Sequence, residues 1–114
     1  MTAESSHLMS RLRLEDGVSR DDLPFIERTL AQLFAEVERF DSSMLDIGLR
    51  IKDRGRPGMR TSLEVHVQGL SSMIGVSKLT DTKDALNDAE AKVLAQLRGH
   101  VGRRNHHRPR QPQA

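Results

Sequence analysis

A chain of 114 residues supports one small core. It contains no cysteine, which excludes disulfides, thiolate metal sites and thiol nucleophiles and fits a reducing cytosol, so a cytoplasmic protein is expected. The net charge of +2 conceals segregation, because six of the 18 Lys+Arg and none of the 16 Asp+Glu follow Glu90, an asymmetry that suits a polyanionic partner.

Residues 1–7 are polar and expected to be disordered, and no run approaches the roughly 20 apolar residues needed to span a bilayer. Leu8 to Leu14 alternate with period two, predicting a first strand. Gly17 to Asp22 offers turn and capping chemistry, and Pro24 fits the first turn of a helix that runs to about Phe40. Its apolar residues Ile26, Leu30, Leu33, Phe34, Val37 and Phe40 form one stripe, with Glu27, Arg28, Gln32, Glu36 and Arg39 on the other side.

Period two returns at Leu45, Ile47, Leu49 and Ile51, and again at Leu63, Val65 and Val67. The turn Arg54-Gly55-Arg56-Pro57-Gly58 joins these two strands as a hairpin. A shorter strand covers Met73 to Lys78. Asp81 or Thr82 caps a last helix whose stripe is Leu86, Ala89, Val93, Leu97 and Val101 and which ends at about His100. Residues 103–114, rich in Arg, His, Gln and Pro, read as a disordered basic tail, leaving 8–102 as the folded domain. The expected fold is α+β, a β-α-β-β-β-α two-layer sandwich in which two helices cover one face of a four-stranded antiparallel sheet.

The two helices resemble those of the ribosome hibernation-promoting factor and ribosome-associated inhibitor family. The first matches at Pro24, Ile26, Leu30, Phe34, Val37, Glu38, Arg39 and Phe40. The last matches at Asp81, Ala85-Leu86, Lys92-Val93 and Gln96-Leu97-Arg98, and Gly69 falls at the family's turn between strands three and four. The resemblance spans nearly the whole domain and is closest to short-form members, since the C-terminal dimerisation domain of long forms has no counterpart. The first helix is more acidic than the family pattern, and strand one lacks its glycine. What the resemblance implies is binding to rRNA in the decoding channel of the small ribosomal subunit, without catalysis, cofactor or small-molecule substrate, so that tRNA and mRNA are kept out.

Candidate RNA-binding residues fall into two groups. Lys92, Gln96 and Arg103 form one flank of the last helix, joined by Arg98, Arg104 and Arg108 and by Lys78 ahead of it; Arg50, Lys52, Arg54, Arg56 and Arg60 cluster at the hairpin. Lysine and arginine suit phosphate contacts, which give affinity without reading sequence. The same residues also suit a solvated surface. His100, His106 and His107 lack the cysteine or nearby acid of a metal site, His66, outward on the third strand beside Glu64 and Gln68, reads as a surface histidine rather than a general base, and no serine has a recognisable catalytic partner. Two other readings stay open: a general double-stranded RNA binder, for which Ser77-Lys78 is a faint cue, and a protein-interaction module for stress regulation that uses its acidic first helix and no RNA.

Overall fold

The computed structural model describes residues 11–110, with side chains through residue 100. Its elements are β1 (Leu12–Leu14), α1 (Leu23–Thr29), α2 (Ala31–Val37), β2 (Leu45–Lys52), β3 (Arg60–Val67), β4 (Met73–Ser77) and α3 (Thr82–Arg110). The expected strand residues Leu8 to Ser10 lie outside the described residues, as do 1–7 and 111–114.

The sheet runs in the order β1-β2-β3-β4 and carries the helices on one face, as the alternating residues require. It is mixed rather than antiparallel: β1 pairs in parallel with β2 through Leu12↔Ile47 and Leu14↔Leu49, while β2–β3 and β3–β4 are antiparallel. The physical reason lies in the connection, since a chain that crosses over a sheet face as helix returns in the same direction. Leu45, Ile47, Leu49 and Ile51 of β2, with Leu63, Val65 and Val67 of β3, turn inward and are buried. They meet Ile26, Leu30, Leu33, Phe34 and Val37 from the first helical segment and Leu86, Ala89, Val93 and Leu97 from α3. Each fully buried leucine or isoleucine contributes about 1.5–3 kcal/mol, so this packing, rather than helix propensity, holds the layers together.

The first helix differs from its expected form. It breaks at Leu30, whose φ of −99° and ψ of 22° leave the α region, and α2 ends at Val37, short of Phe40. The break exposes first-turn donors of α2, and Glu90 of α3 supplies an acceptor: Leu33 N–H donates to Glu90 Oε2 at 2.9 Å. Glu90 is only 6% exposed, and that burial raises its carboxyl above the usual glutamate range, while the Leu33 hydrogen bond opposes the shift. Glu27, expected on the solvent side, has a buried Oε2 that accepts no hydrogen bond.

The last helix also exceeds its expected length, continuing to Arg110 instead of ending near His100. Gly99 and Gly102 weaken a helix by about 1 kcal/mol each without breaking it. The backbone of 103–110, expected to be irregular, is therefore helical. A close approach seats α3 on the sheet: a Cβ added at Gly75 would stand 2.2 Å from the Ala89 carbonyl oxygen, so only glycine lets the helix backbone come this near.

Candidate nucleic-acid interface

The outward face of the sheet is built from residues that alternate with the core. Along β2 these are Asp46, Gly48, Arg50 and Lys52, and along β3 they are Arg60, Ser62, Glu64 and His66. β1 contributes Arg13 and β4 contributes Ile74 and Val76.

Much of the charge here is internally neutralised. The Arg13 guanidinium grips Asp46 in a bidentate pair, Nε to Oδ1 at 3.0 Å and Nη2 to Oδ2 at 2.8 Å, and also bonds Glu15. These hydrogen bonds hold the Asp46 carboxyl below its ordinary value and raise the Arg13 guanidinium. Gly48 makes the arrangement possible, because a Cβ there would fall 2.7 Å from Arg13 Nη2. Arg50 pairs with Glu15 at 3.3 Å. Arg54 is bidentate to Asp22 at 2.9 and 3.1 Å and donates to Gly17 O at 3.0 Å, which lowers the Asp22 carboxyl and ties the hairpin to the loop before α1. Of the hairpin residues singled out in the sequence, Arg50 and Arg54 thus have carboxylate partners.

At the hairpin end the pattern reverses. Lys52 stands directly opposite Arg60, and Thr61 opposite Ser77, so the next position, Lys78, continues the same register beside Arg60. All three are exposed, and among the described residues no hydrogen bond or ion pair engages their side chains. Arg56, exposed in the turn, has no ion pair there either. Like charges directly opposite one another on neighbouring strands are destabilising, and an anion laid across the row would relieve the repulsion.

The helix flank does something different. Gln96 Oε1 accepts from Ile74 N–H at 3.0 Å and its Nε2 donates to Ile74 O at 2.7 Å, while Lys92 Nζ donates to Val76 O at 2.6 Å and to Asp88 at 3.3 Å. Both side chains are spread along the free edge of β4 and satisfy its outward backbone groups. The polar atoms of Lys92 and Gln96 thus face the strand, and the Arg103 side chain expected in a row with them lies outside the described residues. The Asp88 carboxyl is held low by Ser77 and then by Lys92. Arg98 lies 3.8 Å from Glu36 of α2. Arg103, Arg104 and Arg108 continue α3, with side chains outside the described residues.

His66 Nδ1 lies 3.1 Å from Ser72 Oγ, and among the described residues no cluster of three metal-ligating side chains occurs. No described helix is long and apolar enough to cross a membrane.

Sequence reasoning found the cations but not the row, because the register of β2 on β3 and of β3 on β4 is what brings Lys52 opposite Arg60 and ends β4 just before Lys78. It passed over Glu15, Asp22 and Asp46, the acids that remove Arg50 and Arg54 from the free charge and engage Arg13. For Asp46 and Glu15 the available signal was their alternation with Arg50 and Arg13; Asp22, in the turn before α1, carried none. No protein-family model matches the chain, and no curated protein matches it.

Proposed function

We propose that this domain binds rRNA on the small ribosomal subunit and, as a hibernation-type factor, blocks translation by occupying the decoding channel against tRNA and mRNA. The observation that carries the RNA half of this reading is the row Lys52, Arg60 and Lys78, an opposed pair of exposed cations on β2 and β3 and a third just beyond the end of β4, with no carboxylate among them. The choice of the ribosome as the RNA's source rests on the resemblance of both helices to that family. Phosphates laid along the row release their counterions, so affinity is salt-dependent and indifferent to sequence. The domain acts by filling space, one molecule per subunit, and no bond is made or broken.

Co-sedimentation with purified small subunits at two salt concentrations tests this. The native protein should bind at low salt and release as salt rises. The triple variant Lys52→Glu, Arg60→Glu, Lys78→Glu should lose low-salt binding and flatten the salt dependence by roughly two units or more, by analogy with about 0.7–0.9 per neutralised phosphate. Equal sedimentation of the two proteins overturns the reading and favours a protein partner. In a cell-free system, inhibition far below the ribosome concentration would overturn occlusion.

A further inference from the structure

One hollow in the outward face belongs to neither the cation row nor the edge contacts. Glu15, Gly48, Arg50, Ser62, Glu64 and Ile74 line a cavity of about 310 Å³, at the lower end of the range for small-ligand sites. Register explains its shape. Gly48 stands opposite Glu64 and Glu64 opposite Ile74, so one row reads a glycine covered by Arg13 and Glu15, a carboxylate, an aliphatic side chain; in the next, Arg50 stands opposite Ser62.

Its chemistry is uncommitted. The Glu64 carboxylate and Ser62 hydroxyl make no hydrogen bond among the described residues, whereas Arg50 is steadied at the rim by Glu15 at 3.3 Å. Ile74 is 49% exposed, the most exposed large hydrophobic among the described residues. Proteins hold an unstacked base on aromatic rings or guanidinium planes and read its edge by hydrogen bonds; here Arg50 offers the guanidinium plane, Ile74 an apolar flank and Glu64 an unpartnered acceptor pair.

We infer that the hollow holds a single extruded guanine base of the bound RNA, its N1–H and N2–H donating side by side to the Glu64 carboxylate and its ring lying between Ile74 and Arg50. This rests on the RNA reading above and adds a base preference to it. A carboxylate takes two parallel donors best, and guanine alone presents them adjacently. Adenine and cytosine each set an acceptor beside their amine, and uracil flanks its one N–H with carbonyl oxygens that repel the carboxylate. Glu64 and Arg60 are four residues apart on β3, about 13 Å, so one RNA strand reaches both hollow and row.

The experiment is fluorescence anisotropy with a labelled oligouridylate and the same oligomer carrying one central guanosine or one adenosine. The native protein should bind the guanosine oligomer on the order of tenfold more tightly than the other two. Glu64→Ala should bring the three affinities together. Removing a negative charge changes all three alike, so the ratio is the readout; Glu64→Gln, which sets an amide donor against the base donors, should also lose the preference and serves should the alanine variant misfold. A ratio near one in the native protein, or a preference surviving in the variants, overturns the pocket. If the all-uridine oligomer still binds and the Lys52, Arg60, Lys78 reversal abolishes that binding, the RNA reading stands without it. Failure of every oligomer and of small subunits to bind overturns both.

Discussion

The Gln96 side chain binds both backbone groups of Ile74, at 3.0 and 2.7 Å, and so takes the place that a fifth strand's backbone would occupy beside β4. An unpaired edge is a template for association with another chain. Gln96→Ala should cost about 1–3 kcal/mol, two hydrogen bonds at roughly 0.5–1.5 each, and should promote self-association that light scattering detects. Binding to small subunits at a concentration where the variant is monomeric should be unchanged; a large loss there would restore Gln96 to the RNA interface.

Glu90 gives stability a pH dependence opposite to that of the surface acids. Burial raises its folded-state value, so the folded chain holds this proton more tightly than the unfolded chain. The stability linked to it is greatest below the unfolded glutamate range and falls as pH rises through the folded value. Glu90→Gln keeps an acceptor for Leu33 N–H and removes the ionisation, so its stability relative to native should rise with pH across that window and then level off. Urea unfolding over about pH 4 to 8 measures the difference; a flat difference would show that Glu90 does not titrate there.

Asp22 and Asp46 act in the other direction. Arg54 and Arg13 hold their carboxyls low, so their contribution is present above the unfolded aspartate range and is lost as pH falls through the folded values. Because these pairs are partly exposed, Arg54→Ala should cost no more than about 1 kcal/mol at neutral pH. Its RNA affinity should fall far less than that of Lys52→Ala or Arg60→Ala, since Arg54 is already held by Asp22 and Gly17.

Gly75 should tolerate no side chain. Gly75→Ala places a methyl 2.2 Å from the Ala89 carbonyl oxygen, a backbone atom that moves only if α3 moves. A loss of several kcal/mol, a large share of a small domain's total of about 5–15, is expected in thermal or urea unfolding. Near-native stability would mean that α3 sits farther from the sheet.

Strands and amphipathic helices were legible because the burial of Leu45, Ile47, Leu49, Leu63, Leu86 and Leu97 is written into their spacing. The break at Leu30 was not, because the stripe from Ile26 to Val37 continues through it and its stabilising acceptor, Glu90, is 57 residues from Leu33. The parallel pairing of β1 was legible in principle from the β-α-β order, since a helical crossover returns the chain in the same direction, although alternation alone shows only which face a strand buries. For the candidate site, charge density drew notice to the hairpin, but counting charges cannot distinguish Arg54, paired across 32 residues with Asp22, from Lys52, opposite another cation.

The parallel placement of β1 also sets an order of events. β2, β3, β4 and α3 follow one another in sequence and contact their neighbours, whereas the 30 residues from Glu15 to Met44 must close over the sheet before Leu12 and Leu14 reach Ile47 and Leu49. Closing that loop is an entropic charge that the hairpin and last helix do not bear. β1, three residues long and at the sheet's margin, should therefore dock late in folding and open first under native conditions. Amides of 12–15 should exchange with solvent faster than those of β3, while the Lys52, Arg60 and Lys78 row stays formed.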